Sequence, residues 1–302
     1  MKKAGKFLGC FAPILAALLC QYAASFLGMI VAGVLLGIKA GLQGVTNEME
    51  AAEYMLEQML SADVLMIITG FATLLTLVVG ALWYSVHRPA TDFKLKEVMN
   101  GKLFAAMFCL GLSLQFLISM CLNAVYPVLP QDMTNAYSEL METLIGGNVW
   151  LSLIVTVILA PLAEEFLFRG ITLKKAQKIM PFMAANVLQA VLFGVYHMNL
   201  IQGVYAFVLG MILGYTAEYF HSIWASILLH ACVNGSADIL SNLPESITST
   251  YVGIIAIAVS GVVLLFVAAK LYPKARTERP AAESEDNQEE KELFRKNSFD
   301  EY

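Results

Sequence analysis

The sequence predicts an all-α, polytopic membrane protein, and three observations carry that reading. Of the 302 residues, 58% are hydrophobic and only 14% charged, with a mean hydropathy of +0.68; soluble domains average roughly 45 to 50% apolar and 25% charged. Apolar runs of about 20 residues recur, the length that crosses a bilayer as a helix. None alternates as a barrel strand would, and lipid admits only helix bundles or closed barrels. About eight transmembrane helices are expected, with the polar sites confined to a four-helix core of spans four to seven.

Lys2, Lys3 and Lys6 precede the first run, residues 7–38. A signal-peptide core is roughly 7 to 15 residues, so this run, about twice that length, is expected to be a tilted first span. In 48–60, Met49, Ala52, Leu56 and Met59 recur at helical spacing among acidic residues, as in an amphipathic helix outside the bilayer or against it. Spans two and three are expected at 65–86 and 103–126, followed by a polar loop with Pro127, Pro130, Asp132, Glu139 and Glu142. Span four begins near Val149 and ends before Lys174, Lys175, Lys178 and Pro181. Spans five to eight follow at 182–197, 204–220, 223–240 and 251–271.

The chain then divides into N-terminal helices with the external amphipathic helix (1–148), catalytic helices (149–243), a last span (244–272) and a disordered acidic tail (273–302). The first three spans are expected to serve as scaffold or substrate access. Basic residues cluster at the N-terminus, Arg88 to Lys102, Lys174 to Lys178 and Lys270 to Arg279. By the positive-inside rule this is a multi-pass cell-membrane protein with both termini cytoplasmic. A net charge of -5 and a pI near 5.4 leave no footprint for nucleic acid. The five cysteines lie in apolar runs without metal-type spacing and read as small core residues.

Three ionisable residues, Glu164, Glu165 and Arg169, interrupt span four. A charge at mid-bilayer costs at least about 2.5 kcal/mol, so such residues point to function and to partners. Glu165 and Arg169 are four apart in the favoured order for a helical ion pair and are assigned as a buried structural pair. Glu164 is turned about 100° away by the helical period and is assigned as the reactive carboxylate. Pro161 is expected to kink the helix beside them.

Gln189, Phe193 and His197 recur every four residues on span five, with Asn186 nearby; His230 and Asn234 repeat the spacing on span seven. Asn186 and Gln189 read as interhelical hydrogen-bonding groups, and Gly210 with Gly214 as a close-packing pair. A carboxylate and a neutral imidazole sharing one water can generate hydroxide-like attack on a carbonyl. An Asn N–H and a second His can stabilise the oxyanion. The reaction implied is amide hydrolysis within the membrane.

Glu164-Glu165-x-x-x-Arg169, Phe193-x-x-x-His197 and His230-x-x-x-Asn234, in that order, resemble the three motifs of the CPBP family. That family holds type II CAAX prenyl proteases and bacteriocin-processing or immunity (Abi) relatives. The resemblance covers roughly residues 149–243. It implies an eight-helix intramembrane endopeptidase in which Glu164 and His197 activate water while His230 and Asn234 form the oxyanion site. The implied partner is a peptide or membrane-protein substrate, lipidated or not, within the lipid bilayer.

Other readings remain open at this stage. Glu164, His197 and His230 are a potential zinc set with water as fourth ligand, which would make the chain an intramembrane metalloprotease. The helix signature His-Glu-x-x-His is absent, so a metal-free glutamate mechanism, without cofactor, is favoured. A non-catalytic immunity or regulatory protein would use the same cavity for binding. A proton-coupled transporter would use Glu164 as relay, though the chain shows no duplicated halves.

Overall fold

The computed structural model describes residues 2–45, 47–89, 92–241, 244 and 250–276; among these the regular structure is helical, with no strand. The helices are α1 (Lys2–Leu8), α2 (Ala12–Leu42), α3 (Glu48–Met59), α4 (Ala62–His87), α5 (Leu95–Val98), α6 (Gly101–Val125) and α7 (Gln131–Ile145). They continue with α8 (Val149–Gln177), α9 (Phe182–Tyr196), α10 (Leu200–Tyr219), α11 (Ile223–Ser241) and α12 (Tyr251–Leu271). Asparagines begin several of them: the side chains of Asn47, Asn100, Asn148 and Asn199 accept first-turn N–H groups of α3, α6, α8 and α10. Such caps satisfy donors that the helix leaves open.

Each of the eight expected spans is an apolar helix, but the lengths fall into two groups. Six are long and apolar enough to cross a membrane: Ala4–Leu42, Ala62–His87, Gly101–Val128, Val149–Gln177, Leu200–Tyr219 and Val252–Leu271. The other two, Phe182–Tyr196 and the Ile223–Ala237 part of α11, are shorter. Fifteen residues rise only about 22 Å, against a hydrocarbon core of about 30 Å. His197 caps the C-terminal end of the 15-residue α9, and His230 lies on α11, which runs 19 residues in all.

Helices α2 and α4 pack together, α6 lies between α11 and α12, and α9 packs on α10. Outward faces of α2 and α12 keep large apolar groups exposed, among them Leu19, Phe26, Val252 and Phe266, the pattern of helices facing lipid. The core gathers Leu167, Phe168, Phe193, Leu213, Phe220 and Leu229, all essentially inaccessible.

Two segments differ from the expectation. The polar loop after span three contains α7, a 15-residue amphipathic helix. Residues 273–276, expected in the tail, instead form a turn at Pro273–Ala275; the Asn100 amide donates to the Ala275 carbonyl at 3.2 Å. The rest of the expected tail, 277–302, lies outside the described residues.

At the same end as the Asn100–Ala275 contact, Lys174 lies 3.4 Å from Glu218 and 3.6 Å from Asp92, and Gln177 donates to Glu218 at 3.0 Å. Burial is the main force on Asp92 and holds its carboxyl above the usual carboxylate range, with Lys174 and Arg88 pulling the other way.

Candidate active site

Helix α8 is not a uniform α-helix. Residues 153–159 and 166–173 form widened π turns around a short α segment at Ala160–Glu165. Such turns recur at functional sites because they re-aim the side chains around them. Proline has no N–H to continue a helical ladder, and the first π stretch ends just before Pro161. The kink expected at Pro161 is therefore a change of helical register.

The adjacent glutamates part company. Glu165 is fully buried: its Oε1 accepts Arg169 Nη1 at 2.7 Å and His230 Nδ1 at 2.9 Å. Arg169, equally buried, also donates to the Gly210 carbonyl at 3.3 Å, and its guanidinium lies 4.4 Å from the Phe193 ring centre. Glu164 points the other way into a cavity, its Oε2 3.7 Å from His230 Nε2. The structural pair predicted for Glu165 and Arg169 is present, and it also holds His230.

Both histidines are oriented through Nδ1. His197, just past the end of α9, makes a 2.8 Å bond from Nδ1 to the Phe193 carbonyl. A carbonyl only accepts, so Nδ1 carries the proton and Nε2 of neutral His197 is an acceptor. Against the Arg169-paired carboxylate of Glu165, the same holds for His230. Its expected donation to an oxyanion therefore requires the imidazolium form. Phe193 stands between the two rings, edge-on to each, at centroid distances of 4.8 and 5.8 Å.

Glu164, His197, His230 and Asn234 line one cavity of about 310 Å³. The sequence-selected residues thus come together from α8, α9 and α11. Gln189 does not join them: it donates to the Gly210 carbonyl at 2.9 Å, as Asn186 does to Met211 at 3.0 Å. Both are interhelical groups, and a Cβ on Gly214 would collide with the Asn186 amide.

Residues 146–236 match the family model described as Type II CAAX prenyl endopeptidase Rce1-like. Over this segment the chain is similar to that family. The match agrees with the family that the three motifs resemble and supports a CAAX-type intramembrane protease, a hydrolase. No curated protein and no solved structure matches the chain.

The Rce1-like segment does not build the cavity alone. Gln21 of α2, Thr69 and Thr73 of α4, and Leu140, Met141 and Leu144 of α7 complete its wall. The acidic residues and prolines of this segment obscure the α7 contribution in the sequence. Met133, Tyr137, Leu140 and Leu144 nevertheless recur at helical spacing, which is the signal that finds it. Among the described residues, no three His, Cys, Asp or Glu side chains converge as metal ligands.

Proposed function

We propose that the chain is an intramembrane endopeptidase that hydrolyses a peptide bond by a glutamate-dependent mechanism. Glu164 takes a proton from a water in the cavity, and the hydroxide equivalent attacks the scissile carbonyl carbon. Nε2 of His197 accepts a hydrogen bond from that water and orients it. An amide N–H of Asn234, and His230 when doubly protonated, donate to the oxygen that gains charge. The tetrahedral carbon then expels the amine, which takes the proton from Glu164, leaving a carboxylic acid and an amine that ionise to carboxylate and ammonium on release. Preorganised donors of this kind are worth about 3 to 4 kcal/mol each in other acyl-transfer enzymes.

The observation that carries this reading is the convergence of Glu164, His197, His230 and Asn234 on one cavity. The Rce1-like match spans all four. No metal is required, since the pair of acceptors, Glu164 and His197, is sufficient to activate water. The substrate is a peptide or membrane protein, with or without a lipid, drawn from the bilayer. The protein sits multi-pass in the cell membrane with both termini cytoplasmic.

The test compares protein N- and C-terminal peptides from membranes of cells carrying wild type, Glu164→Ala or no copy. Termini present only with wild type are expected and would name the substrate. Identical termini in all three, with the deletion phenotype corrected by both forms, would replace the enzyme with a binding protein.

A further inference from the structure

The ladder of α8 assigns a function to Pro161 that its place beside the carboxylates does not reveal. The Ala160 N–H reaches back five residues to the Val155 carbonyl. The next bond in this register would run from residue 161 to the carbonyl of Thr156. Residue 161 is proline and has no N–H to give. The Thr156 carbonyl is thereby released from the ladder, and a partly buried carbonyl without a donor is costly.

Its donor is Asn234. The Nδ2 of Asn234, 78 residues away in sequence, donates to the Thr156 carbonyl at 2.8 Å. Only the amide nitrogen of an asparagine can make that bond, so the bond also sets which way the amide faces. One amide proton is spent on Thr156, leaving the second proton and Oδ1 for the cavity that Asn234 lines. Thr156 and Ala160 line the same cavity, so this backbone opening borders the site itself.

We propose that Pro161 is a positioning residue: by withholding a backbone donor it opens the Thr156 carbonyl, which then anchors and orients Asn234. The chemical consequence for catalysis rests on the protease reading above, whereas the anchoring does not. Restoring an N–H at residue 161 should close the π ladder onto Thr156 and release Asn234.

The experiment is a thermal-unfolding cycle on the full-length purified protein in detergent, which needs no substrate. Asn234→Ala is made in wild type, in Pro161→Ala, and in a form whose residue 161 is the α-hydroxy analogue of alanine. That ester-linked residue lacks both the ring and the N–H. Asn234→Ala is expected to lower the midpoint by roughly 2 to 4 °C in wild type, by under half as much in Pro161→Ala, and fully in the ester form. Equal losses in wild type and Pro161→Ala would overturn the proposal. So would an ester form that behaves as Pro161→Ala, which decides the matter even if that variant folds poorly. Where turnover is measurable, Pro161→Ala lowers kcat at unchanged KM and the ester form restores it. A wild type without turnover would break the protease reading and leave the thermal cycle standing.

Discussion

Two carboxylates one residue apart occupy opposite worlds in this protein. Glu165 lies in a dry cluster, fully buried, with an arginine and a histidine on one oxygen. Glu164 lines a cavity, its Oε2 3.7 Å from the far nitrogen of the same histidine. The dry cluster holds three helices in place: α8 through Glu165 and Arg169, α11 through His230, and α10 through the Gly210 carbonyl. The wet side holds groups with free lone pairs. On the proposed mechanism, helical phase makes one of these neighbouring charges structural and the other chemical, and the structural one holds His230 beside the cavity.

That contrast can be broken from the dry side first. Glu165→Ala leaves Arg169 fully buried without its anion, a change that costs about 3 to 5 kcal/mol in other proteins. It is expected to cause loss of folded protein, read by size-exclusion and thermal unfolding; a folded, normally stable variant would show that the cluster is dispensable.

On the wet side, His197→Ala removes an oriented acceptor and is expected to lower turnover by roughly 10² to 10⁴-fold while the melting midpoint stays near wild type. A large drop in midpoint would move His197 into the structural class. The zinc alternative is checked on the same samples: stoichiometric zinc that is lost in His197→Ala would replace the metal-free mechanism.

A smaller effect sharpens the boundary between the clusters. Gly214→Ala drives a methyl into the Asn186 amide that bridges α9 and α10. Overpacking of this sort costs about 1 to 3 kcal/mol. A melting midpoint equal to wild type would show that the two helices have room to part.

The smallest effect lies outside the membrane core. The Asp92 carboxyl is held above its ordinary value of 3.8, mainly by burial. Its folded form therefore binds a proton more tightly than its unfolded form. The resulting stabilisation is complete below the ordinary carboxylate value and is lost as pH rises through the higher folded one. Asp92→Asn should flatten that part of the midpoint-versus-pH curve; an unchanged slope would assign the dependence to another group.

Much of this arrangement is legible from residues alone, for a physical reason. Hydrocarbon makes polar side chains conspicuous, so Glu164, His197, His230 and Asn234 stand out, and the 3.6-residue period separates Glu164 from Glu165 without any coordinates. The bond from His230 to Glu165 is not legible, because it joins residues 65 positions apart and either glutamate is chemically suited to it. Gln189 shares its spacing with His197 yet faces α10, since periodicity says which residues share a face but not what that face meets. Helix α7 hid behind its polar residues. Helix α9 ends at Tyr196, which places His197 at a helix end, beside the cavity that α7 helps to line.

The most direct test of the central claim is Glu164→Gln, with turnover and thermal midpoint measured on the same purified preparation in lipid vesicles. The side chain keeps its shape and loses its basicity. The account predicts turnover lower by roughly 10² to 10⁴-fold with the midpoint within about 2 °C of wild type, the inverse of the outcome for Glu165→Ala. Wild-type turnover, or loss of fold, in Glu164→Gln would contradict it.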